Sequence, residues 1–261
     1  MTCIFCDEEN ESESIEHIVS ESFGNKDYVV KRGAVCDRCN AKFSSFEGKA
    51  LANTVFAMER ARLGVVTKKG SNVKGKVANL IIEGDQNFRK QFVTIKAIND
   101  NPLKDFDAET GEGQLFVASF DGSDVATSRL LLKIGLEAIF TSQRKVYTAF
   151  NFSELKEFLT NKNDRDWPFM TTDAELNKFI SIPRFDDRYR LRQKNITLSI
   201  SEFNNDTLLF KFKFGAIAMT INLLNRGLGW ISDYIDIIGE SEDYVYPAHY
   251  RSKIKKYRGL V

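Results

Sequence analysis

The chain opens with Cys3-Ile4-Phe5-Cys6 and repeats that spacing at Cys36-Asp37-Arg38-Cys39, followed at once by Asn40; all four of its cysteines lie in these two pairs. Between the pairs run Glu16-His17-Ile18 and Ser22-Phe23-Gly24. A C-x-x-C turn aims two thiolates at one point, and two such turns complete a tetrahedral four-thiolate zinc site. The first residues do not have the pattern of a secretion signal, so a reducing, cytoplasmic setting is expected, in which paired cysteines read as a metal site and not as a disulfide framework. The 29 residues between Cys6 and Cys36 exceed the span of a plain zinc ribbon and leave room for an inserted hairpin and loop. A module of about 60 residues buries too little surface to be comfortably stable alone, and structural zinc supplies about 10–16 kcal/mol in favourable cases. Cys3, Cys6, Cys36 and Cys39 are therefore the expected ligands of a structural Zn²⁺.

Working outward, residues 15–19 carry apolar side chains on alternate positions, and 28–30 with 34–35 form a second strand candidate after the turn residues Gly24-Asn25-Lys26-Asp27. From 37 to 63, Phe43, Phe46, Ala50, Thr54 and Met58 recur every three or four residues, which predicts a helix, with Gly48 as a place to kink. A hairpin followed by a helix is the predicted outline of the first 63 residues.

The remaining stretch, 64–261, reads as a larger α+β domain. A Lys/Gly/Ser-rich loop at 68–76 precedes strand candidates at 77–82, 92–98 and 115–120. A helix over 123–142 is apolar around most of its circumference, with Leu130, Leu131, Leu132, Ile134, Leu136, Ile139 and Phe140, and so is predicted to be buried. Another helix is expected at 153–161. Ile196, Leu198 and Ile200 alternate with Thr197, Ser199 and Ser201, and Phe210, Phe212 and Phe214 alternate with Lys211 and Lys213, predicting antiparallel strands with one wet face. The Phe-rich strands read as core, though exposed aromatics beside Lys211 and Lys213 would be a stacking platform for bases.

The net charge of +1 hides an asymmetry. Residues 1–60 carry 7 Lys/Arg against 11 Asp/Glu, a net of −4, which leaves +5 for the rest. Basic groups cluster at Lys68, Lys69, Lys74 and Lys76, at Arg184 to Lys194, and at Arg251 to Arg258; a solvated face is the ordinary reading of such runs, and a phosphate track the functional one. No apolar run approaches the roughly 20 residues of a membrane span, so no membrane partner is expected.

The two cysteine pairs, Glu16-His17-Ile18, Ser22-Phe23-Gly24 and Asn40 straight after the last Cys together resemble the cysteine-containing HNH endonucleases. The resemblance covers about residues 1–60 and implies a ββα-metal core, a hairpin and a helix clasped by zinc. It further implies that His17 is the general base and that Glu16 and Asn40 ligate a catalytic Mg²⁺ or Mn²⁺. Adjacent strand residues point to opposite sides, so Glu16 and His17 share one site only where the strand end is irregular. The implied activity is hydrolysis of phosphodiester bonds in DNA, with RNA as the other candidate substrate, in a bacterial or phage setting of restriction, defence or mobile DNA. The alternative is a zinc-bound adaptor for nucleic acid or protein without catalysis. Residues 64–261 are then a specificity, sensor or oligomerisation domain, open to a regulatory ligand, a protein partner or a second copy of the chain.

The sequence departs from the family pattern in three places. The central Asn of the signature falls on Lys31, Ser20 stands where Pro is frequent, and Asn25 replaces the second Gly of a Gly-Gly pair. His249, the second of only two histidines, reads as an ordinary polar residue.

Overall fold

The computed structural model describes residues 1–67, 69–77, 80–84, 93–97, 103–105, 107–110, 112, 114–115, 124–161, 165–172, 178–182, 195–238, 245–247, 249–250 and 253. It is an α+β protein whose first layer is held by backbone bonds between its two cysteine turns. Cys3 N–H donates to Glu8 O (2.9 Å), closing the first turn, and Ile4 N–H to Ala34 O (2.9 Å) brings that turn against the second. Helix α1 (Asp37–Leu51) begins on Cys36, whose sulfur accepts from Cys39 N–H at the helix start. Its buried face is Cys39, Phe43, Phe46 and Ala50, spaced at helical intervals, and Phe5 meets Phe43 edge-on at 4.6 Å between ring centres.

The helix predicted over 37–63 is two helices. The chain breaks at Ala52–Asn53, not at Gly48, and resumes as α2 (Thr54–Arg62). Asn53 stands between the helices in an extended conformation (ψ 141°); it is fully buried and donates its side-chain amide to Thr127 Oγ1 (2.6 Å). The predicted hairpin is reduced to a single bridge between His17 and Val29, flanked by Ile18 N–H to Tyr28 O (3.2 Å) and Val30 N–H to Glu16 O (2.9 Å). The intervening residues are spent on a 3₁₀ turn (Glu21–Phe23) and a tight loop. Ser20 caps that turn, its hydroxyl accepting from Ser22 N–H (3.3 Å), and Gly24 ends it at φ +86°, a left-handed conformation that suits glycine.

Beyond α2, a hairpin of β1 (Lys74–Val77) and β2 (Leu80–Gly84) replaces the single strand predicted at 77–82, and β3 (Val93–Ala97) completes a three-stranded antiparallel sheet. A two-residue pair, β4 (Leu103–Lys104) and β5 (Gln114–Leu115), follows; the predicted strand at 115–120 otherwise lies outside the described residues. Helix α3 (Asp124–Ser142) is buried as predicted, and α4 (Arg144–Ala149) and α5 (Ser153–Thr160) follow it.

The large sheet is six-stranded and antiparallel, in the order β11-β6-β10-β9-β8-β7, with β6 (Phe169–Met170), β7 (Ile180–Ile182), β8 (Ile196–Asn204), β9 (Thr207–Phe214), β10 (Ile217–Asn222) and β11 (Val245–Tyr246). The β8–β9 pair matches the alternation in the sequence, but its second face is wet only at one end, where Thr197 is exposed and Lys213 half-buried. Ser199, Ser201 and Lys211 are all buried, the last with its ammonium 4.4 Å from the centre of the Phe179 ring. Leu209 packs with Trp230 and Ile231 of α6 (Gly229–Ile238), so that helix covers part of the face predicted to be exposed. Phe210, Phe212 and Phe214 are fully buried on the other face and form no stacking platform. There α3 comes close through Gly135, where a Cβ would lie 2.8 Å from Leu223 Cδ2.

One hydrophobic core runs from Phe5, Phe23 and Phe43 through Leu131 and Leu136 of α3 to Phe210 and Phe212 of the sheet. Phe23 sits edge-on against Phe56 (5.3 Å), Phe212 (5.5 Å) and Phe214 (4.8 Å), so the turn after His17 is seated on the large sheet. Arg60 Nε donates to Ser22 O (2.7 Å) beside it.

Candidate functional site

Cys3, Cys6, Cys36 and Cys39 bring their sulfurs within 4.8 Å of one another, three of the residues buried. A tetrahedral zinc with Zn–S bonds of about 2.3 Å places its sulfurs about 3.8 Å apart, and Cys6 Sγ and Cys36 Sγ stand 3.7 Å apart. The donor set and its spacing fit structural zinc. Contact with the Cys39 thiol lowers the Cys3 pKa to about 4, and the same contact, with burial, pushes Cys39 up. Burial raises Cys36. The cluster therefore holds protons that an incoming zinc ion must displace.

Glu16, His17 and Asn40 meet different surroundings. Asn40 is half-buried in the first turn of α1, its N–H bonded to Cys36 O (3.0 Å). His17, at the bridge, keeps 24% of its side chain exposed, with Nε2 3.6 Å from Glu21 Oε1 in the 3₁₀ turn. Its Nδ1 is buried without a hydrogen-bond partner. Glu16 takes another direction. Its Oε1 lies 2.5 Å from Lys133 Nζ on α3. The neighbouring side chains thus meet different partners, in keeping with the alternation of a strand.

Lys133 is the centre of a cluster that sequence reasoning did not pick out. Its ammonium, fully buried, lies 2.8 Å from Glu47 Oε1 on α1 and 3.3 Å from Glu137 Oε2 one turn along α3, and donates to the His17 carbonyl (3.3 Å). Burial alone would lower the lysine pKa, but Glu137, Glu47 and Glu16 outweigh it and the net shift is upward. Glu137, fully buried and with no hydrogen bond on either oxygen, is pushed well above the carboxylate range by desolvation. A signal was present in the sequence: Lys133 and Glu137 stand four apart in a helix predicted to be wholly buried.

A second residue that shapes this segment is Asn25. It is fully buried and donates to Val19 O (2.6 Å) and Tyr28 O (2.9 Å) while its oxygen accepts from Tyr28 N–H (3.0 Å). These bonds close the loop between His17 and Val29, whereas Lys31, where the central Asn of the signature falls, is exposed. Asn25→Ala removes all three bonds; Tyr28 O keeps its bond from Ile18 N–H, so the loss falls on Val19 O and Tyr28 N–H, at about 1–3 kcal/mol each. We expect the variant to lose on the order of 3 kcal/mol of stability in urea denaturation, with zinc content retained.

The fit to an oxygen-ligated divalent ion is partial. Asn40 and Glu16 are donors of suitable chemistry, but one Glu16 oxygen already carries the Lys133 ammonium. Among the described residues, the four cysteines are the one set of three or more His, Cys, Asp or Glu whose ligand atoms all lie within 4.8 Å of one another. His249 lies elsewhere, half-exposed and 3.0 Å from Asp166. Of the basic groups, Lys69, Lys74 and Lys76 are exposed, and 184–194 lie outside the described residues. A cleft of about 600 Å³ opens beside Glu21, between Lys26 and the Leu63–Gly70 segment. No described helix is long and apolar enough to cross a membrane.

Residues 3–55 match the profile of a family described as HNH endonuclease. No curated protein and no solved structure matches the chain.

Proposed function

Because residues 3–55 form an HNH endonuclease module with a cysteine cluster suited to zinc, we propose that the protein is a metal-dependent endonuclease that hydrolyses phosphodiester bonds in DNA. The observation that carries this reading is His17, held at the bridge between the two cysteine turns and only partly buried. With Nδ1 enclosed, Nε2 is the nitrogen that reaches a water molecule and takes its proton as that water attacks phosphorus. A neutral imidazole is suited to this near neutral pH. The Glu21 carboxylate, 3.6 Å from Nε2, then faces the imidazolium and stabilises its charge. Glu16 and Asn40 are the proposed holders of Mg²⁺ or Mn²⁺, which when bound offsets charge on the phosphate and the departing oxygen. Asn25 and the Phe23 seat keep the His17–Glu21 segment in place. The restriction, defence or mobile-DNA setting is part of the same proposal.

A second reading is favoured by one observation, the capture of Glu16 by Lys133. On it, the module is a zinc-bound adaptor that binds nucleic acid or protein without cutting. Supercoiled plasmid separates the two. We expect nicking with Mg²⁺ or Mn²⁺ that EDTA abolishes; retention of plasmid on the protein with no nick in either metal would establish the adaptor.

A further inference from the structure

We propose that the Lys133 ammonium is an internal cation that holds Glu16 and Glu47 in place of a divalent ion, and that withdrawing it opens these carboxylates as a divalent-cation site. The inference rests on the reading of Glu16 as a metal ligand.

Four oxygens from three separate parts of the chain converge on Nζ. They are Glu16 Oε1 at 2.5 Å, Glu47 Oε1 at 2.8 Å, Glu137 Oε2 at 3.3 Å and the His17 carbonyl at 3.3 Å. An all-oxygen nest of carboxylates and a carbonyl is the donor set that hard divalent cations take, at about 2.0–2.6 Å. It is over-supplied for its present occupant. An ammonium has three N–H donors, and both Glu137 oxygens lack a hydrogen bond although the side chain is fully buried. One positive charge also leaves three acids under-neutralised, whereas a divalent ion would balance two. Glu16 and Glu47 keep 11% and 18% of their side chains exposed, while Lys133 and Glu137 form the closed floor. An ion therefore has a way in at the rim, and the ammonium stands where it would bind.

The competition is between cations for the same oxygens. Lys133 belongs to α3, which packs on α1 and on the large sheet through one core. A displacement of α3 relative to α1 withdraws the ammonium from Glu16 and Glu47 together. Metal loading of the head is in this way coupled to the position of a helix from the C-terminal part of the chain.

The test is Mn²⁺ titration of the full, zinc-loaded protein followed by the electron paramagnetic resonance signal of the free ion. We expect Lys133→Met to bind Mn²⁺ at least ten times more tightly than the unmodified protein, and Glu16→Gln added to Lys133→Met to remove the gain. If circular dichroism or zinc content shows that Lys133→Met is misfolded, Lys133→Met with Glu137→Leu relieves the buried charge and keeps Glu16 and Glu47. An affinity unchanged or weakened in a folded variant overturns the proposal, as does a gain that survives Glu16→Gln. Absence of plasmid cleavage with the Mn²⁺ gain present would defeat the nuclease reading and leave this inference standing.

Discussion

His17→Ala is expected to lower plasmid cleavage by about 10²–10⁴-fold, the usual contribution of a positioned general base, with zinc content and thermal unfolding unchanged. The expectation follows from where the ring is held. His17 is one half of the single bridge that remains of the hairpin. Its backbone bonds survive truncation to Ala, and its carbonyl still accepts from Lys133. The lost part is the imidazole, whose Nδ1 makes no hydrogen bond to the protein, so little stability goes with it. Rate falls and fold stays. Cleavage by the variant at the rate of the unmodified protein would remove His17 from the chemistry.

Cys36→Ser is expected to cost the most stability. Cys36 is one of four sulfurs within 4.8 Å of one another, and it also starts α1 by accepting from Cys39 N–H (3.4 Å). A Ser hydroxyl serves that second purpose well, so the substitution isolates the metal contribution. Zinc binding to such a site is worth about 10–16 kcal/mol at neutral pH, against a net stability of about 5–15 kcal/mol for an ordinary domain. Loss of a large part of it unfolds the head. The core is continuous from Phe5 to Phe212, so the large sheet should lose cooperativity as well. Zinc analysis should give far less than one ion per chain, and calorimetry a broad transition shifted well downward. Stoichiometric zinc with an unshifted transition would show that these cysteines are not the clasp.

How much of this was legible in the sequence depended on how local each feature is. The cysteine turns, the apolar helix at Asp124–Ser142 and the β8–β9 alternation are set by neighbouring residues, and each stands where the spacing predicted. The second face of β9 was misread because its cover, Trp230 and Ile231 of α6 with Val245 of β11, comes from distant chain. Lys211 is buried by the same distant cover, its ammonium against the Phe179 ring. The family spacing points to Lys31, and nothing local singles out Asn25, because the three backbone groups on which the loop closes are brought to it only by the folded chain. Glu16 and Lys133 lie 117 residues apart; no local pattern links them. What the sequence did contain was a charged pair inside an apolar helix, which burial makes costly unless partners await it.

The seat of Phe23 among Phe56, Phe212 and Phe214 also bears on how such a head can be inherited. A cassette that travels between genes must carry its own hydrophobic closure, and this one borrows an aromatic socket from the far end of the chain. Grafted onto an unrelated carrier, it would arrive with that ring uncovered. Its evolution is therefore tied to the sheet on which it rests.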